Sequence, residues 1–180
     1  GDEVVSRGAF SIDSEAQLSD KPSMMNPQKN NNSSVDVDWE KVKIEDEILD
    51  KILVTYFQLK EDFANDDEVK GLASAKKLFK IIKELNLENS SAKKGFMQLS
   101  KAVSESKNID IARQHFQYLS DALIALVEKN NPLDKTLYVQ FCPMANNDQG
   151  AFWLSTEEEI KNPYYGSMML KCGSVEKQLE

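Results

Sequence analysis

Between residues 39 and 130 apolar side chains return every three or four positions, and polar clusters interrupt that rhythm three times. An α-helix turns once in about 3.6 residues, so this spacing gathers apolar groups into stripes that must be covered. The first stripe joins Ile44, Ile48, Ile52, Tyr56, Leu59 and Phe63, flanked by Leu49, Leu53 and Phe57. Glu45, Asp46, Asp50, Lys51 and Lys60 fall outside it. The pattern predicts a helix starting near Asp38–Trp39 with Asp38 as its cap. Asn65-Asp66-Asp67 breaks the rhythm and offers capping side chains to a second helix, whose stripe is Val69, Leu72, Ala75, Leu78, Phe79, Ile82 and Leu85. Its lysines 70, 76, 77, 80 and 83 lie mostly opposite and read as a solvated face. A polar connection, 86–91, ends in Ser90-Ser91, which can cap a shorter third helix bearing Phe96, Leu99 and Val103. A fourth runs from about Ile109 to Glu128, with Ala112, Phe116, Leu119, Leu123, Leu126 and Val127 inward, and Pro132 ends it. Four such stripes with short connections predict an antiparallel four-helix bundle, so the chain is mainly α.

The rhythm then changes. Thr136–Cys142 alternates, with Leu137, Val139 and Phe141 on one face and Tyr138, Gln140 and Cys142 on the other. Gly150–Ser155 is a second extended run, and Asn146-Asn147-Asp148-Gln149-Gly150 between them suits the turn of a β-hairpin. Ser155 and Glu158 have capping-box spacing, which predicts a helical turn over Thr156–Ile160, stopped by Asn162-Pro163. A polar C-terminus follows Gly173. The predicted class is therefore α+β: residues 39–180 form one domain, a helical bundle with a hairpin and a short helical or turn segment in 134–180.

Residues 1–38 have no such rhythm. They contain Pro-Ser-Met-Met-Asn-Pro-Gln-Lys-Asn-Asn-Asn-Ser-Ser and set seven acidic residues against three basic ones. A segment this poor in apolar groups buries too little to offset its ordering entropy, which predicts a flexible acidic spacer. The chain opens on Gly1-Asp2-Glu3 without methionine, from which we expect a removed leader, an exported protein and a lipid tether at the lost N-terminus. The net charge of −8 disfavours nucleic acid as a partner, and no apolar run is long enough for a transmembrane segment.

The chemistry is concentrated in 136–173, which holds both cysteines and three of the six methionines. Pro143 favours an extended Cys142, and in an extended Cys-Pro-Met the side chains of Cys142 and Met144 point the same way. Met169 and Cys172 share a face if their segment is a helical turn. Two thiolates and two thioethers make a soft ligand set suited to monovalent copper or silver, and less to zinc. His115, the only histidine, sits beside the stripe of the fourth helix and is either structural or a further ligand to these sulfurs. The competing reading is a Cys142–Cys172 disulfide, whose closure would stabilise the fold by about 3–4 kcal/mol in the chain-entropy model. The two are also alternative redox states of one pair. An enzyme is not expected: His115 has no nucleophile, paired carboxylates or glycine-rich loop around it in sequence, and Glu157-Glu158-Glu159 reads as a helix-dipole match.

Tyr138-Val139-Gln140-Phe141-Cys142-Pro143-Met144-Ala145, Gly150-Ala151-Phe152-Trp153-Leu154-Ser155, Ile160-Lys161-Asn162-Pro163-Tyr164-Tyr165-Gly166 and Met169-Leu170-Lys171-Cys172-Gly173 together resemble a bacterial domain of unknown function. That domain is found alone or at the C-terminus of periplasmic adaptor (membrane fusion) subunits of heavy-metal and copper efflux systems. Phe116-x-x-Leu119-Ser120-x-Ala122-Leu123 is similar to the same family's helical motif, and the likeness spans roughly 44–178. The resemblance implies a periplasmic or otherwise extracytoplasmic location, efflux-system proteins as partners, and Cys142, Met144, Met169 and Cys172 as ligands, with Met168 at a variable position. The adaptor's hairpin and barrel regions have no counterpart here, so a free-standing or lipid-tethered accessory domain is the closer analogue.

Overall fold

The computed structural model describes residues 37–84, 90–129, 131–133 and 135–180. The spacer expected over 1–38 lies outside these except for Val37 and Asp38, as do Leu85 and residues 86–89 of the expected second connection. Four helices follow in order: α1 Asp46–Ala64, α2 Glu68–Glu84, α3 Ser90–Ser104 and α4 Ile109–Val127. Three strands complete the chain: β1 Leu137–Cys142, β2 Ala151–Ser155 and β3 Ser174–Leu179. The strands form one antiparallel sheet in the order β2-β1-β3, so the mainly helical α+β expectation holds, with a strand more than the hairpin foreseen.

The stripes form the core. Ile52, Leu53, Tyr56, Leu59 and Phe63 of α1 are buried, as are Leu78 and Ile82 of α2, Phe96 and Val103 of α3, and Phe116, Leu119 and Leu123 of α4. The cap expected for α2 is present, Asp67 Oδ1 accepting from Lys70 N at 3.0 Å, whereas Ser90 and Ser91, expected to cap α3, lie inside it; α4 is capped by Asn108, whose Oδ1 accepts from Ile111 N at 2.9 Å. Glu68 Oε2 also accepts from Ile109 N at 3.0 Å, joining the first turns of α2 and α4.

Several local expectations fail for tertiary reasons. The first helix starts at Asp46, not near Trp39; Trp39–Lys41 is a single 3₁₀ turn and Asp38 makes no side-chain capping bond to it. Trp39 instead lays its ring 4.4 Å from that of Phe96, and Val42 is buried, so apolar burial outweighs local helix propensity. Val69, expected inside, is 82% exposed, and Lys60, expected outside, is buried with its ammonium 2.8 Å from Glu61. No helix forms over Thr156–Ile160. Ser155 Oγ does accept from Glu157 N at 3.1 Å, but the Gln140 amide reaches across and donates to the carbonyls of Glu157 and Glu158 at 2.9 and 3.1 Å. Those carbonyls would otherwise serve the next helical turn.

β1 is the central strand and is covered at both faces: Leu137 and Val139 are buried, and so are Gln140 and Cys142 of the opposite face, while Phe141 is half-buried. Its neighbour β2 lies along α4. The unforeseen β3 is polar and mostly exposed, and it exists through its ladder with β1, which is bulged at Glu176. The β1–β2 connection turns through three consecutive left-handed residues, Asn146, Asn147 and Asp148, types that tolerate this conformation. Among the described residues no helix is long and apolar enough to cross a membrane.

Candidate functional site

The C-terminal end of β1 and the segment that follows β2 meet over one edge of the bundle. Cys142 is the last residue of β1 and has no exposed surface. The strand stops there, and Pro143-Met144 form a turn with Met144 in helical conformation. The two-residue alternation used to align Met144 with Cys142 therefore ends at Cys142. Met144 is 40% exposed, and its carbonyl accepts from the Tyr165 hydroxyl at 2.7 Å.

Cys172 arrives from a loop that Asn162 organises. The fully buried Asn162 receives Tyr164 N on its Oδ1 at 2.8 Å and donates through Nδ2 to the carbonyl of Cys172 at 2.9 Å. Its backbone donates to Leu170 O at 2.8 Å and accepts from Gly166 N at 3.1 Å. Gly166–Met168 is a 3₁₀ turn, and Met169 to Cys172 is closed by Cys172 N donating to Met169 O at 2.9 Å. Met169 is half-buried and Met168 is exposed. At Gly173, φ is +143° and a Cβ would stand 2.7 Å from the Phe141 carbonyl, so only glycine lets this strand approach β1 so closely.

That approach brings the two cysteines together. Phe141 pairs with Ser174 at the end of the β1–β3 ladder, so the next step sets Gly173 beside Cys142 and Cys172 diagonal to it. Both thiols are free. Burial pushes the Cys172 thiol above its ordinary range, and the adjoining Cys142 adds to this through its charge and a thiol–thiol hydrogen bond. The Tyr165 hydroxyl is raised by burial, then by Cys142, Asp148 and Cys172 around it. Tyr165 is therefore near enough to both cysteines to feel their charge, a placement that nothing in its sequence context announced.

The loop is latched to the bundle by Arg113, a buried side chain of α4. Its guanidinium donates to Pro163 O at 2.8 Å, to Phe63 O at 2.6 Å and to Asp66 Oδ1 at 2.6 Å. Asp66 also accepts from Ser167 N at 2.7 Å. Hydrogen bonds from Arg113 and then Ser167 hold the Asp66 carboxyl down at about 2. In the sequence Asp66 reads as part of a helix break, and the one signal for Arg113 is a lone arginine at the edge of an apolar stripe.

His115 borders a neighbouring cavity of about 410 Å³ with Tyr118, Asn146, Tyr165 and Met168, and neither cysteine is among the residues around that cavity. Among the described residues no three His, Cys, Asp or Glu side chains gather as a metal set, so a cation at the cysteine pair would need the thioethers to complete its coordination.

Residues 52–135 match the family described as "Protein of unknown function (DUF3347)". No curated protein and no solved structure matches the chain. The matched span runs from α1 to just before β1, and both cysteines lie beyond it. The match thus covers the helices, and the thiol pair lies on the segment that follows it.

Proposed function

We propose that this chain is an extracytoplasmic accessory domain that binds a soft monovalent cation, copper or silver, and serves heavy-metal efflux or tolerance. Cys142 and Cys172 supply the thiolates, Met169 and Met144 the thioethers. One observation carries the reading: two free cysteines far apart in sequence adjoin at the end of the β1–β3 ladder. Sulfur ligands of this kind favour monovalent copper and silver over zinc, which prefers four Cys, His or carboxylate ligands. The resemblance of the segments around both cysteines to a domain found on efflux adaptors supports the location and the link to efflux. No catalytic role is assigned to any residue.

Reduced protein titrated anaerobically with monovalent copper is expected to take up about one equivalent. Cys142→Ser/Cys172→Ser is expected to abolish uptake, and His115→Ala to leave it unchanged, since neither cysteine is among the residues lining the cavity that His115 borders. Undiminished binding by the double variant refutes the reading. The same juxtaposition favours a second reading, a non-catalytic interaction module pinned by a Cys142–Cys172 bridge. A two-proton mass deficit together with no copper uptake after reduction would select it.

A further inference from the structure

We propose that Cys142 and Cys172 form a thiol–disulfide exchange site with a fixed order of attack, in which Cys172 accepts the incoming disulfide and Cys142 resolves it. The inference rests on reading this pair as the cation site and adds its regulation, because a bridged pair offers no thiolate to a cation.

The order follows from where the two sulfurs lie. Cys142 ends the central strand with no exposed surface, between Pro143 and the half-buried Phe141, so no external disulfide can align with it. Cys172 is half-buried, follows the exposed Lys171 and closes a surface turn. Exchange needs the attacking sulfur in line with the disulfide bond; of the two residues only Cys172 has exposed surface, and its packing against the core, which raises its thiol, slows the attack without moving it to Cys142. The second step then needs a neighbouring thiol, and the close approach of Gly173 to the Phe141 carbonyl supplies one. The latches of Asn162 and Arg113 hold the loop while this happens.

The oxidant is a disulfide, either a small molecule or a protein. Cys172 loses its proton and its sulfur attacks one sulfur of the disulfide. That bond breaks, a mixed disulfide forms on Cys172, and the expelled thiolate takes up a proton. Cys142 then loses its proton and attacks the Cys172 sulfur. The intramolecular bridge forms and the second thiol leaves with a proton. The protein has lost two hydrogens, and the disulfide has been reduced to two thiols.

The test exposes the reduced full-length protein to glutathione disulfide without oxygen, quenches in acid, alkylates, and reads intact and peptide masses over time. Wild type is expected to end as the internal bridge with no glutathione attached. Cys142→Ser is expected to accumulate one glutathione on Cys172, and Cys172→Ser to react at least about tenfold more slowly, through the buried Cys142. A pulse of substoichiometric alkylating reagent on the reduced wild type gives the order without any variant, with the label expected on Cys172. Label falling first on Cys142, or glutathione retained on the wild type without closure, overturns the proposal. Copper titration of the same samples separates the two ideas. Uptake by the reduced protein with no exchange refutes only the exchange, while exchange with no uptake refutes only the cation site.

Discussion

The Tyr56 hydroxyl is a single atom through which α1, α4 and the sheet meet. It shares a hydrogen bond of 2.8 Å with Ser120 Oγ on α4 and accepts from Leu154 N on β2 at 3.1 Å. All three residues are fully buried, and burial pushes the Tyr56 phenol far above its ordinary range. Tyr56→Phe keeps the ring stacked on Phe116, 5.1 Å away, and opens no cavity larger than one oxygen atom. What it removes is the acceptor of a buried amide at the edge of β2, together with the partner of a buried serine. An unsatisfied buried donor costs about 1–3 kcal/mol, and Ser120 can turn back to a carbonyl of its own helix, so the expected loss is about 2 kcal/mol. For a chain of this length that lowers Tm by roughly 4–8 °C. Urea unfolding followed by circular dichroism and tryptophan fluorescence gives the free energy. Hydrogen exchange at the Leu154 amide gives the local effect, which should be an earlier opening. In the Tyr56→Phe background a further Ser120→Ala should cost less than about 0.5 kcal/mol, because its partner has gone. A Tyr56→Phe loss below about 0.5 kcal/mol, with Leu154 protection unchanged, would refute the claim that this hydroxyl fastens the sheet to the bundle.

Two further predictions concern the loop that carries Cys172. The Asp66 carboxyl titrates at about 2 in the folded chain, against 3.8 for its ordinary value, so it contributes stability above pH 3.8 that is lost as pH falls through 2. The full shift corresponds to about 2.4 kcal/mol, but the side chain is 36% exposed, and screening reduces the expectation to about 1 kcal/mol. Asp66→Asn should therefore destabilise by that amount at pH 7 and by progressively less between pH 4 and 2; a pH-independent difference in urea unfolding would contradict the Arg113 pairing. Gly173→Ala places a Cβ against the Phe141 carbonyl, a backbone group that cannot swing aside, and should cost about 2 kcal/mol. It should also weaken copper uptake and slow closure of the thiol pair, and unaltered values of both would show that the close approach is not what joins the cysteines.

The helices were legible because their signal is local. Tyr56, Phe63, Phe116 and Leu119 fall on stripes that any 3.6-residue helix would make, and burial confirms them. Asp67 caps α2 as its position predicts. Trp39 misled because its contact is with Phe96, far along the chain, and a propensity argument weighs only neighbours in sequence. β3 was missed for the same reason: Ser-Val-Glu-Lys-Gln-Leu is exposed and polar, and its strand character comes from hydrogen bonds to β1. The turn expected after Ser155 failed because Gln140, on another strand, took the carbonyls.

For the site the division is sharper. Residue types alone placed both cysteines and the candidate soft ligands in 136–173, since softness is a property of the side chain and needs no fold. That the two cysteines meet was decided by the β1–β3 register and by Gly173. The sequence by itself determined the helical stripes, their caps and the list of candidate ligands, because each depends on intrinsic chemistry or on neighbours within a turn or two. Only the tertiary structure decided the third strand, the Arg113 latch and the pairing of Cys142 with Cys172. Each of these is a contact between distant segments, fixed when the whole chain finds partners for its buried polar groups at once.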